Sequence, residues 1–185
     1  MLDRRVKKSR RALKDALVEL MKKKDLEKIS IKELCEMADV NRSTFYANYE
    51  DINELLKAVH YELLDKVNQP IDTRWWEKHE GDNEEAYLRF KEMFFVIMEN
   101  KQNFLLFVNN NRNNAFELNF FQYYKEMQKI EEQDDYQNYL FTYHTMGYSA
   151  VIQSWLRSGC QLSCEEMARI LWEEATPFHR MMQNR

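Results

Sequence analysis

The sequence predicts an all-α protein of about nine helices, and three observations carry that expectation. Only 3 Gly and 2 Pro occur in 185 residues, too few turn formers for a β-sandwich or a doubly wound α/β fold. Apolar residues recur at three- and four-residue spacing along most of the chain. No segment reads as a convincing strand. With 44% apolar and 14% aromatic residues, disorder does not describe the whole.

Val6, Leu13, Ala16, Leu17, Leu20 and Met21 form one stripe of a first helix. Ser30 and Glu33 make a capping-box pattern that opens a second helix, with Ile31, Leu34, Cys35 and Ala38 on its apolar face. Asp39-Val40-Asn41 interrupts that helix, and Asn41 is a suitable N-cap for a third, running through Arg42 to Asn48. Asp51 caps a fourth, in which Ile52, Leu55, Leu56, Val59, Leu63, Leu64 and Val67 trace one face until Pro70. Residues 69–83 read as a loop. Helical pattern returns at about 84–100, breaks near Asn100 and again at the Asn-rich run 109–114, and resumes at 115–130. Helices at about 135–158 and 163–182 close the chain, separated by Gly159, with Ser163 and Glu166 as a second capping box. Pro177 is expected to kink the last helix or end it early.

Charge is uneven. Residues 1–49 carry 13 Lys+Arg against 8 Asp+Glu, leaving 14 basic and 23 acidic residues in the remainder. A basic head on an acidic body suggests that the head meets a polyanion, although a Lys-rich helix face is often only solvated. The short second helix, the tight turn and the short third helix match a helix-turn-helix. Leu34, Ala38, Val40, Phe45 and Tyr49 would lock the pair. That leaves Arg42, Ser43, Thr44, Tyr46, Ala47 and Asn48 facing outward, where they can meet base edges or phosphates. Arg42 suits a guanine, Asn48 an adenine or a phosphate, and Thr44 and Tyr46 phosphate oxygens. The cluster Arg4, Arg5, Lys7, Lys8, Arg10 and Arg11 could add phosphate or minor-groove contacts, or simply be a solvated helix start.

The stretch L-C-E-M-A-D-V-N-R-S-T-F-Y-A-N-Y-E-D-I-N-E-L-L resembles the signature of the tetracycline-repressor (TetR) family of bacterial regulators. The match rests on Ala38, Val40, Thr44, Phe45, Tyr46, Tyr49 and Leu55-Leu56, and it fades after about residue 66. The resemblance implies a homodimer with an N-terminal DNA-binding domain (1–50) and a C-terminal ligand-binding and dimerisation domain (51–185), connected by helix 51–68. It also implies backbone contacts from Ser30 and Lys32. Two positions depart from the family pattern. Asp39 stands where a turn Gly is usual; an Asp can adopt left-handed dihedrals at modest cost. Ile52 stands where a Lys reaches a phosphate, which removes a contact unless Lys57 or the helix N–H groups compensate. The stretch G-Y-S-A-V-I-Q-S-W-L-R-S-G-C-Q-L-S-C-E-E is similar to a branch related to regulators of dihydroxyacetone kinase genes.

In the body, Gly147, Ala150 and Ser154 lie at helical spacing and would let another backbone approach. Met167, Ile170, Leu171, Ala175 and Phe178 form an apolar stripe. The resemblance implies that these two helices pair with their symmetry mates in a four-helix bundle, although both stripes could instead line a monomer core. An effector pocket would draw on Phe94, Phe107, Phe120, Tyr124, Tyr143 and Trp155, although aromatics at such spacing are more often core. Three cysteines, with Cys160 and Cys164 four apart and no nearby third ligand, imply no metal. No cofactor is expected either.

The resulting expectation is a transcription regulator, most simply a repressor, released from a palindromic operator in double-stranded DNA by a small-molecule effector. The alternative is a helical ligand-binding or scaffold protein with a degenerate DNA-binding motif. An enzyme is not expected: no nucleophile elbow or H-E-x-x-H occurs, and Gly81, Gly147 and Gly159 are too far apart for a phosphate loop. A charged N-terminus and the absence of an 18-residue apolar run imply no membrane partner and a cytoplasmic address.

Overall fold

The computed structural model is helical throughout its regular elements. It describes residues 4–69, 84–110, 114–127 and 135–183, with 174–183 described through their backbone alone. Two compact units emerge, Met1–Glu62 and Leu63–Arg185.

The first unit begins with α1 (Arg4–Met21), followed by a 3-10 turn (Leu26–Lys28), α2 (Ile31–Ala38), α3 (Arg42–Tyr46) and the start of α4 (Ile52–Asn68). Its core follows from the stripes. α1 buries Leu13, Ala16, Leu17, Leu20 and Met21, and α2 buries Leu34 and Cys35. Phe45, Tyr49, Leu55 and Leu56 complete the set. Each leucine, methionine or phenylalanine among them stabilises the unit by about 1.5–3 kcal/mol when removed from water. His60, on the buried face of α4, is 0% exposed.

Local chemistry fixes the turns. Glu33 N–H donates to Ser30 Oγ at 3.2 Å, but the Glu33 carboxylate takes Lys24 Nζ, so this box is half closed. Asp39 sits at φ 51, ψ 48, the left-handed conformation its place in the turn requires. Val40 N–H then donates to Cys35 O at 3.0 Å, closing a Schellman-type end. Asn41 corrects an expectation: its backbone is extended, but its side chain makes no capping bond. Its carbonyl instead accepts from Thr44 N and Phe45 N at 2.9 and 3.1 Å, so the backbone alone starts α3. Asp51 does cap α4, its Oδ1 accepting from Glu54 N–H at 2.8 Å.

The second unit holds the end of α4, then α5 (Glu84–Glu99), α6 (Lys101–Asn109), α7 (Ala115–Met127), α8 (Asp135–Arg157) and α9 (Cys164–Gln183). α5 packs on α9, while α6 and α7 pack on α8. The expected loop at 69–83 falls outside the described residues from 70 onward, as do 111–113 and 128–130. Gly159 at φ 86 and Cys160 at φ 61 end α8, with Cys160 N–H donating to Trp155 O at 2.9 Å. The Ser163–Glu166 box is complete, with both reciprocal bonds made, at 2.8 and 3.2 Å. The last helix does not end early at Pro177; it continues to Gln183. Among the described residues no helix is long and apolar enough to cross a membrane.

Candidate nucleic-acid interface

α3 is only five residues long, so its orientation depends on its anchor. Phe45 is that anchor: it is 0% exposed, and its ring meets Tyr46 at 5.4 Å and Tyr49 at 6.1 Å between centroids. Burying Phe45 turns the rest of the helix outward. Arg42, Ser43 and Ala47 are exposed and Thr44 is half-buried, while Tyr46 is 59% exposed. Asn48 departs in part, because its Nδ2 already donates to Thr44 O at 2.7 Å. Its side-chain carbonyl is the group better placed to meet a ligand.

Ser30 and Lys32 are exposed at the start of α2. Lys32 Nζ lies 3.9 Å from Glu36, both largely exposed, a pairing weak enough to exchange for a phosphate.

The start of α4 is acidic. Asp51 occupies the free Glu54 N–H, and the Glu54 carboxylate accepts from Glu50 N–H at 2.6 Å. Lys57 Nζ lies 5.0 Å above the Tyr61 ring, one turn further along. The Glu54 N–H is therefore taken, and Lys57 is drawn to a ring rather than to the position of the cation absent at Ile52.

The aromatic residues of the body separate into two groups. Phe94 and Trp155 meet at 5.9 Å between α5 and α8, beside Phe90 and Trp172. Phe120 and Tyr124 meet at 4.7 Å within α7, and Phe107 is buried on α6. Tyr124 Oη donates to Asn68 Oδ1 at 3.1 Å, and Tyr123 Oη to Asp65 Oδ1 at 2.8 Å. Burial pushes the Tyr124 phenol up to about 12. Burial first, and then the Asp65 carboxylate, push Tyr123 well above its ordinary range. No feature of the sequence marks these α4–α7 bonds, since Asp65 and Asn68 lie on the polar side of the α4 stripe. Tyr143 corrects the expected lining: it is 73% exposed and joins neither group.

Tyr143 belongs instead to a row along α8. Tyr136, Tyr139, Tyr143, Gly147, Ala150 and Ser154 are all exposed, at successive spacings of three, four, four, three and four. A Cβ on Gly147 would meet nothing within 4 Å. On α9, Ile170 is 45% exposed, whereas Met167 and Leu171 are buried in the chain's own core. That corrects their place on a partner-facing stripe: the centre of the stripe turns into the chain's own core, and Ile170 at its edge stays exposed. The side chains of Ala175 and Phe178 lie outside the described residues.

Residues 84–173 match the family model TetR_C_8, described as a transcriptional regulator C-terminal region. Over those residues the body is similar to the C-terminal regions of TetR-type regulators. Solved structures of TetR-like regulators share the fold. One is the dihydroxyacetone kinase operon activator DhaS, with a TM-score of 0.56 at 14% identity, covering 94% of this chain and 97% of that one. A TetR regulator from Rhodococcus sp. RHA1 gives 0.56 at 15%, covering 90% and 94%. The repressor AlkX from Dietzia sp., implicated in n-alkane biodegradation, gives 0.50 at 14%, covering 92% and 97%. No curated protein matches the sequence. The TetR model covers the body, whereas the helix-turn-helix match lies in the head, so the two likenesses are independent.

Proposed function

We propose that this protein is a TetR-type regulator, a dimeric repressor that reads a palindromic operator through α3 and is released by a small-molecule effector. The observation that carries the reading is the sidedness of α3: Phe45 is fully buried while Arg42, Ser43, Tyr46 and Ala47 face solvent. A helix anchored by one ring and polar on its free side is the form that enters a major groove. Arg42 reads a guanine edge, and Thr44 and Tyr46 meet the backbone.

Pairing is supported by the exposed row on α8. Its three- and four-residue alternation is the seam spacing of packed helices, and the small residues at 147, 150 and 154 permit close approach. A second copy would cover it, setting two α3 helices about 34–36 Å apart on one face of the duplex. The effector would act on the body through its aromatic groups, with a coupling of about 1–3 kcal/mol.

Electrophoretic mobility shifts on a two-fold repeat from the DNA upstream of its own gene test the reading. Tight, salt-sensitive binding to the repeat and weaker binding to a scrambled duplex are expected. Equal affinity for both would favour the second reading, a helical ligand-binding protein with a degenerate head. The acidic, lysine-free start of α4 is the observation on its side. A reporter driven by the same DNA separates repression from activation.

A further inference from the structure

We propose that Arg10 is a pre-positioned phosphate clamp, held ready for a phosphodiester of the duplex by the ring and hydroxyl of Tyr49. The proposal rests on the DNA-binding reading above and adds to it a contact that the helix-turn-helix motif does not contain.

Arg10 Nε donates to Tyr49 Oη at 3.3 Å, and its guanidinium carbon lies 5.4 Å from the centroid of the same ring. Tyr49 is 2% exposed and packs against Phe45, the residue that orients α3. The arginine is therefore tied to the support of the recognition helix. A guanidinium has five N–H donors in a fixed plane. The bond to Tyr49 uses the Nε donor and leaves the two terminal amino groups, the fork that grips phosphate oxygens in pairs.

The next residue shows the contrast. Arg11 is neutralised by Asp15 at 3.0 Å and by Glu62 at 2.9 Å, and Lys14 shares Glu62 at 2.8 Å. No carboxylate among the described residues takes Arg10. Arg4, Arg5, Lys7 and Lys8 are exposed on the preceding turns of α1 and add potential of the same sign. An arginine already fixed on a ring loses less side-chain freedom when it binds. A phenylalanine at 49 would keep the packing but leave Nε without its acceptor.

Fluorescence anisotropy of the full chain tests this, using the two-fold-repeat duplex and a scrambled one across about 50–200 mM salt. Arg10→Ala should weaken binding to both duplexes by the same factor, because a backbone contact carries no sequence information. The slope of log affinity against log salt should fall by about 0.9 for each clamp lost, hence about 1.8 for a dimer. Tyr49→Phe, which keeps the ring, should weaken binding less. It should have no effect in the Arg10→Ala background, and thermal melting should show both variants folded. An unchanged slope for Arg10→Ala overturns the proposal, as does a Tyr49→Phe loss that persists without Arg10. If the parent chain binds the repeat and Arg42→Ala disrupts it while Arg10→Ala does nothing, only the clamp fails. If the parent chain binds neither duplex, the DNA-binding reading itself fails and takes the clamp with it.

Discussion

His60 makes the stability of the head depend on pH in a calculable way. It is 0% exposed in α4, and burial pulls its imidazole from 6.5 down to about 3. In the unfolded chain the ring regains its ordinary affinity for a proton, so between those values the unfolded state binds more protons. The contribution of the neutral ring is thus fully present above the unfolded value and is lost as pH falls from about 6.5 toward 3. At about pH 5 the gap from the unfolded value is roughly 1.5 units, and at about 1.36 kcal/mol per unit the loss is about 2 kcal/mol. The comparison is His60→Leu, an apolar residue of similar volume that cannot titrate. Urea unfolding followed by circular dichroism, at about pH 7.5 and about pH 5, isolates the effect because the carboxylates titrate in both proteins. The parent should lose about 2 kcal/mol more than the variant over this interval. Equal losses would refute the assignment of a neutral buried ring.

Other expectations follow from single positions. Asp39→Ala should destabilise the head by about 1 kcal/mol, because alanine has no local polar compensation for the left-handed turn; Asp39→Gly should be tolerated, and thermal melts of the two variants compare them directly. Ile52→Lys restores a cation at the start of α4 and should tighten duplex binding while steepening the salt slope by about 0.9 per subunit. An unchanged slope would mean that no phosphate passes that site. Tyr143→Glu places a charge in the exposed α8 row without touching the core, and should turn a dimer into a folded monomer by sedimentation velocity; a dimer that survives would place the seam elsewhere.

The head was largely legible because its signals are local. Periodicity identified Leu13, Leu17 and Leu34 as core, the helix-turn-helix reading added Phe45, and the left-handed turn at Asp39 followed from the resemblance to a family pattern with Gly there. The side chain of Asn41 did not follow, because the backbone bonds of so short a helix suffice without a cap. Pro177 does not end its helix, which runs on to Gln183. The body was read less well for a physical reason. A helical stripe of Met167, Ile170 and Leu171 shows that a face is apolar, not which neighbour covers it, and here two of the three turn into the chain's own core. Tyr143 failed in the opposite direction, since an aromatic residue is equally at home in a core and on an exposed seam. The Arg10–Tyr49 and Tyr123–Asp65 contacts span 39 and 58 positions of sequence, and no periodicity encodes a pairing at that distance.

The central claim is that two copies of α3 read one duplex together. Sedimentation of the protein with its two-fold-repeat duplex, combined with hydroxyl-radical footprinting, tests it most directly. The account predicts two chains per duplex and two protected patches one helical turn apart, about 34–36 Å, on the same face, with the preference for that sequence abolished by Arg42→Ala. A single chain per duplex, or protection spread evenly along repeat and scrambled DNA alike, would contradict it.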